Sequence, residues 1–183
     1  NALKEKKYKL SDRSATFQID LSIQATLGAE SFTLKKEKQV ISIIGGDERG
    51  LIYGCQSLAE EIRNGASLSN IKTKNEKPFL PFRAIKYDLP WDTYRHSYAL
   101  ELHDETCRAT SYWKAFLDMM SENRFNTLTL WNLHPYPFLI KSKSFPEASP
   151  WNDAQMREWK QLFHSIINMA TERAIETYII PFN

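Results

Sequence analysis

Hydrophobic and polar positions change period several times along the first eighty residues. Residues 1–14 are charged and aperiodic, which predicts a frayed lead-in. From Ala15 to Ser22 the positions alternate, with Phe17, Ile19 and Leu21 on one face, as in a half-buried strand. Ser31 to Lys35 and Gln39 to Ile44 read as two further strands around a hairpin turn at Lys36-Glu37-Lys38. Gly45-Gly46 stops the second of these, and Asp47 is placed to cap a helix. Leu51, Cys55, Leu58 and Ile62 then recur on one helical face until Asn64-Gly65 ends the run. Strands followed by a helix laid across one face predict a small α+β layer.

The run Gly45-Gly46-Asp47-Glu48-Arg49-Gly50 invites a phosphate-binding reading. It lacks the Lys-Ser/Thr of a P-loop and sets two carboxylates where an anion would sit, so it is read as a structural turn.

After the polar stretch Ser67 to Lys77, Pro78 and Pro81 mark the entry to a second unit. Arg83 to Leu89, Thr127 to Trp131 and Glu176 to Pro181 read as strands. Tyr112 to Asn123 is a helix with Trp113, Phe116, Leu117 and Met120 on one face. Asp153 can cap a longer helix whose Met156, Trp159, Leu162, Phe163, Ile166, Ile167 and Ala170 point inward. The order β-α-β-α-β predicts parallel strands joined by right-handed crossovers. The expected fold class is therefore α/β: an α+β domain over residues 1–77 and a βαβαβ unit over residues 78–183.

The connections are unequal. Turns from helix to strand are short, whereas residues 90–111 and 132–152 form strand-to-helix segments of about 20 residues, a length that usually signals function. Both lie at the carboxyl ends of parallel strands, where α/β folds place their sites. They also hold Trp91, Tyr94, Tyr98, Tyr136, Phe138, Phe145 and Trp151. Aromatic faces flanked by Asp, Asn, His and Arg suit carbohydrate, because a sugar presents a C–H face and a rim of hydroxyls.

Composition narrows the classes. The 24 Lys+Arg against 22 Asp+Glu leave a net charge of +2, too balanced for a nucleic-acid or membrane-surface footprint. No apolar run reaches the roughly 20 residues that cross a bilayer. Cys55 and Cys107 form no CxxC pair, which leaves no zinc knuckle and at most one disulfide. Glu101-Leu-His-Asp-Glu105 has the wrong spacing for a His-Glu-x-x-His site and reads as a solvated loop or helix start. His164 falls in the amphipathic helix, and Cys107 has no evident base. No cofactor motif and no metal site are expected.

At this point the sequence resembles a known arrangement. Glu30 to Ile62, with Gly50-Leu-Ile-Tyr-Gly54 and Gln56-Ser-Leu58, is similar to the small α+β domain that precedes the barrel in family 20 β-N-acetylhexosaminidases and the related α-glucuronidases. Arg83-Ala-Ile-Lys-Tyr-Asp88 keeps the spacing of the hexosaminidase first strand, Arg-Gly-x-x-x-Asp, with Ala84 in place of Gly. Asn123-Arg-Phe-Asn126-Thr-Leu-Thr-Leu-Trp131 resembles the first barrel helix running into the second strand. One departure stands out: the family's Trp-His-x-x-Asp run is here Leu130-Trp131-Asn132-Leu133-His134, a Trp-Asn pair that leans toward the glucuronidases.

The resemblance implies the first three strands and two helices of an incomplete (β/α)8 barrel, with the catalytic acids on later strands. A full barrel takes about 250 residues. The missing Met and the final strand are consistent with a fragment of a secreted or periplasmic glycoside hydrolase that self-associates through its half-built barrel. Arg83, Asp88, Trp91, Trp131, Asn132, His134 and Asn183 are the candidate sugar-binding residues. Arg83 and Asp88, five apart on a strand, are expected on opposite faces. The expected partner is a carbohydrate, without nucleic acid or membrane insertion. The alternative is a non-enzymatic carbohydrate-binding module, and a third option is an interaction domain whose aromatic loops meet protein.

Overall fold

The computed structural model describes residues 2–11, 14–91, 98–132 and 136–181, and the chain divides into two units, Asn1–Pro81 and Phe82–Asn183. In the first unit a single turn of helix, α1 (Ala2–Glu5), precedes β1 (Gln18–Ile23), β2 (Phe32–Glu37), β3 (Val40–Gly45), the long α2 (Glu48–Arg63) and a short β4 (Lys74–Glu76). The sheet order is β1-β3-β2-β4, with β1 parallel to β3 and the other pairs antiparallel.

The β2–β3 hairpin is tighter than the sequence suggests. Glu37 pairs with Val40, leaving a two-residue loop in which Lys38 takes a left-handed φ of 54°. Residues 2–8 of the lead-in are not frayed: Ala2 is buried, Leu3 and Tyr8 pack against the core, and Glu5 pairs with Arg63 at 3.2 Å. Leu21, expected inside, is 56% exposed. It sits on the edge strand, whereas α2 lies mainly across β3 and β2.

Helix α2 starts where the sequence places it. Asp47 accepts from Gly50 N at 2.7 Å and from Glu30 N at 3.0 Å, and Gly46 N donates to Ser31 O at 2.7 Å. These amides are committed within the protein, as a structural turn requires. The buried face of α2 includes two glycines as well as the apolar positions. A Cβ on Gly50 would lie 2.2 Å from Ser31 O, and one on Gly54 would lie 2.5 Å from Ile43 Cγ2, so both let the helix settle onto the sheet.

The second unit is built from β5 (Ala84–Asp88), α3 (Tyr98–Arg108), α4 (Thr110–Glu122), β6 (Thr127–Asn132), α5 (Tyr136–Leu139), α6 (Asp153–Thr171) and β7 (Glu176–Pro181). The three strands are parallel in the order β5-β6-β7. With two units of mixed strand and helix, the fold class is α/β. The long connections are not structureless: α3 occupies the first, α5 and a short 3-10 turn at Pro146–Ala148 the second. Asn152, not Asp153, caps α6. Its side chain accepts from Ala154 N and Gln155 N while Gln155 bonds back to Asn152 N, a capping box. Asp153 instead pairs with Lys141 at 2.5 Å. Ile167, expected inward, is 37% exposed.

Helices α4 and α6 return to the sheet by the same device. Phe125 N reaches Met120 O and Ile175 N reaches Ala170 O, both at 2.9 Å, while Arg124 (φ 64°) and Ala174 (φ 54°) hold the left-handed position. Phe125 and Ile175 then plug into the core shared by Trp113, Leu117, Met120, Leu128, Leu130, Phe163 and Ile166. A left-handed residue with a Cβ costs roughly 1–2 kcal/mol. Ala174→Gly is therefore expected to stabilise the protein by about 1 kcal/mol, read as a higher denaturation midpoint.

Across the helix pair, Asp118 accepts from Arg173 Nε at 2.7 Å and from Lys114 Nζ at 2.9 Å. Burial pushes the Asp118 carboxyl up, but the bonds and charges of Lys114 and Arg173 outweigh it and hold the group below its ordinary 3.8. Because the folded value is lowered, the link contributes fully above the unfolded carboxylate range and is lost as pH falls through the folded value. Asp118→Asn should lower stability at neutral pH, with the difference from the parent shrinking in acid-denaturation curves as pH falls through the lowered folded value.

Candidate functional site

Strand alternation sorts the second unit's sheet into two faces. Ile85, Tyr87, Leu128, Leu130 and Ile179 point to the helices and join the core. The other face carries three rows read from the register: Ala84–Thr127–Glu176, Lys86–Thr129–Tyr178 and Asp88–Trp131–Ile180. On this face Lys86, Asp88, Tyr178 and Ile180 are exposed. The row nearest the carboxyl ends places a carboxylate, an indole and an aliphatic side chain abreast.

Two contacts organise that end. Lys86 Nζ bonds Asp88 Oδ1 at 2.8 Å and lies 4.7 Å from the centre of the Trp131 ring. Donor, acceptor and flat apolar surface are thus held together by neighbouring strands, a set able to bridge adjacent hydroxyls while a ring stacks on the indole. One row further in, Tyr178 Oη donates to Glu176 Oε2 at 3.0 Å, and the carboxylate pushes the phenol's pKa up.

Asp88 lacks a catalytic partner among the described residues. Glu176 shares its face but belongs to the row four residues away, roughly 13 Å along the strands. Paired glycosidase carboxyls lie about 5–9.5 Å apart. Nor do three His, Cys, Asp or Glu side chains converge as metal ligands among the described residues.

The expected sugar-binding residues separate into distinct places. Asp88 and Trp131 come together on the open face. Asn132 follows Trp131 but points to the opposite, helix-covered side, where it is buried and its Nδ2 donates to the Trp91 carbonyl oxygen. Trp91 is only 3% exposed, its ring edge-on to Trp159 at 4.8 Å and Phe163 at 5.7 Å. Packed this way, it has no free face for stacking. Arg83 lies before β5 at the amino end of the sheet, where its Nε donates to Arg124 O at 2.6 Å. The carboxyl-end role expected for it does not match that position, because the guanidinium is engaged at the other end of the strand. His134 and Asn183 lie outside the described residues, as does Tyr94.

The surplus aromatics mostly build structure. Phe138, Trp151 and Trp159 form a cluster continuous with Trp91, whereas Tyr98, Tyr136 and Phe145 stay exposed. Glu101, His103 and Glu105 are exposed on α3, a solvated helix. Cys55 and Cys107 are free thiols; burial pushes both pKa values up, against a nucleophilic role. Tyr87 is raised as well, first by burial and then by sharing its hydroxyl with Cys107 and Tyr112. Lys86 and Tyr178 were missed from the sequence, although Lys86 shares strand parity with Asp88 and could have been found from it.

No family model matches the chain, and no curated protein matches it. Among solved structures, a GH138 enzyme targeting pectin rhamnogalacturonan II superposes over 100% of the chain with a TM-score of 0.84 and 25% identity. A GH20 β-N-acetylhexosaminidase from Streptomyces coelicolor A3(2) covers 92% of it with a TM-score of 0.60 at 17% identity. A β-N-acetylhexosaminidase from Bacteroides fragilis covers 97% with a TM-score of 0.57 at 16% identity. The fold is that of glycoside hydrolases. The chain spans 22% of the length of the GH138 enzyme, and 34% and 35% of the two hexosaminidases. The hexosaminidase likeness anticipated from Arg83-Ala-Ile-Lys-Tyr-Asp88 is therefore present at the level of fold.

The two asparagine and tryptophan neighbours at this end have separable roles. Asn132→Ala leaves the buried Trp91 carbonyl without its donor and should cost about 1–3 kcal/mol, seen as a lower melting temperature. Trp131→Ala, on the open face, should leave that temperature nearly unchanged.

Proposed function

We propose that the chain is part of a glycoside hydrolase acting on a complex polysaccharide, with its site over the carboxyl ends of β5, β6 and β7. The observation that carries this reading is the superposition of the whole chain on the pectin-targeting GH138 enzyme, at a higher TM-score than the hexosaminidases reach. A pectin-type glycan is preferred to an aminosugar on that ground. The Trp-Asn pair at Trp131-Asn132, where hexosaminidases carry Trp-His, points the same way.

In this reading β5, β6 and β7 are three strands of a (β/α)8 barrel, and the rows on their open face are layers of its interior. Trp131 stacks a sugar ring while Lys86 donates to one hydroxyl and Asp88 accepts from its neighbour. His134 and Asn183 stand near the same end in sequence and complete the proposed sugar contacts. The acid and base come from strands beyond those described, since Asp88 has no partner at glycosidase spacing. Residues 1–77 act as the accompanying α+β domain. Such an enzyme works in a secreted or periplasmic setting, where polysaccharide is met.

An uncovered barrel interior exposes Tyr178 and Ile180, so the 183-residue chain alone should self-associate. The decisive assay compares that chain with a longer product of the same gene on rhamnogalacturonan fragments. The chain should release no sugar, whereas the longer polypeptide should hydrolyse the substrate. Trp131→Ala in the longer form should weaken substrate binding about three- to tenfold. Measurable turnover by the 183-residue chain would overturn the proposal.

A further inference from the structure

On the helix-covered side of the second unit, the end of α3 meets the first turns of α6 around a depression of about 270 Å³. Arg108, Trp151, Gln155, Glu158, Trp159 and Leu162 line it. We infer that this depression binds one neutral sugar ring of a glycan. The choice of a sugar rests on the proposed function, whereas the chemistry of the walls does not.

The volume falls just below the roughly 300–1,000 Å³ of pockets that take drug-sized ligands, which suits one ring and not two. Its polar groups are held in place but incompletely used. Arg108 Nε is tied to Asp104 at 3.1 Å, and the guanidinium lies 4.3 Å from the Trp159 ring centre, leaving both terminal nitrogens as donors. Gln155 spends its oxygen on Asn152 N at 3.0 Å and keeps its amide nitrogen as a donor. Glu158 is exposed and makes no ion pair or hydrogen bond among the described residues, so its carboxylate remains an acceptor.

Trp151 supplies a reporter independent of these. Its Nε1 is closed off from solvent, while the residue lines the depression, so its signal senses what fills the pocket without bonding to it. Leu162 and the indole carbons offer apolar surface to a C–H face. Arg108 is already neutralised by Asp104 and Glu158 adds a further negative charge, so the pocket does not favour an anion. Spread donors, one acceptor and apolar backing describe a polyol ring better than an anion.

Indole N–H signals in ¹⁵N-correlated spectra of the chain test this residue by residue. The probes are methyl α-rhamnoside and methyl β-N-acetylglucosaminide, with galacturonate and sulfate as charged controls. A neutral glycoside should shift the Trp151 signal saturably, with a dissociation constant of about 1–10 mM. Glu158→Ala and Arg108→Gln should each raise that constant about fivefold or more. Glu158→Ala removes an exposed, unpaired side chain and so keeps the test valid if Arg108→Gln disturbs packing on Trp159. A Trp151 signal unmoved by neutral glycosides, moved only by galacturonate or sulfate, or equally responsive in both variants overturns the inference. Trp131 reports separately on the open face: a shift there without one at Trp151 overturns the pocket and leaves the hydrolase reading standing.

Discussion

The middle strand of the parallel sheet is held at both ends by asparagine, and the second unit is organised around it. At the amino end Asn126 accepts from Arg83 N at 2.9 Å through its side chain, while its own carbonyl accepts from Glu176 N at 2.9 Å. One buried residue thereby aligns all three strands. At the carboxyl end Asn132 donates to the Trp91 carbonyl and fixes the chain leaving β5. With the register pinned twice, the side on which each later side chain falls is settled, because a slip of one residue would exchange the two faces.

That register explains why residues adjacent in sequence do different work. Trp131 and Asn132 are neighbours, yet one faces the open side beside Lys86 and Asp88 and the other faces the helices. Trp91 and Trp131 are both tryptophans at the same end of the sheet, and only Trp131 stays clear of the core. The Trp91–Phe138–Trp151–Trp159 cluster takes up aromatic surface that a composition argument would assign to ligand. Burial of these rings fixes the long connections, which in turn frame the carboxyl end of the sheet.

Much of the architecture was legible in local pattern. The three strands of the second unit, the cap at Asp47 and the stop at Asn64-Gly65 each follow from a signal only a few residues long. The helix inside residues 90–111 was less legible. Tyr98 and Leu102 are exposed on α3 and Cys107 is buried, so its apolar positions do not trace a core-facing stripe. The lead-in escaped for a similar reason: a four-residue helix has too few positions to display a period, and Ala2 is buried through contacts distant in sequence, α2 among them.

What the sequence determined by itself was the order and type of the long strands and amphipathic helices and the parallel sense of the second sheet. These depend on spacing along the chain, and spacing is fully present in sequence. Only the tertiary structure decided which aromatic residues are spent on the core, that Arg83 is engaged at the amino end, and that Glu176 stands too far from Asp88 to act with it. Each of those depends on which strands are neighbours and in what register, and that is fixed by contacts between residues more than 40 positions apart, such as Arg83 with Asn126 and Trp91 with Asn132.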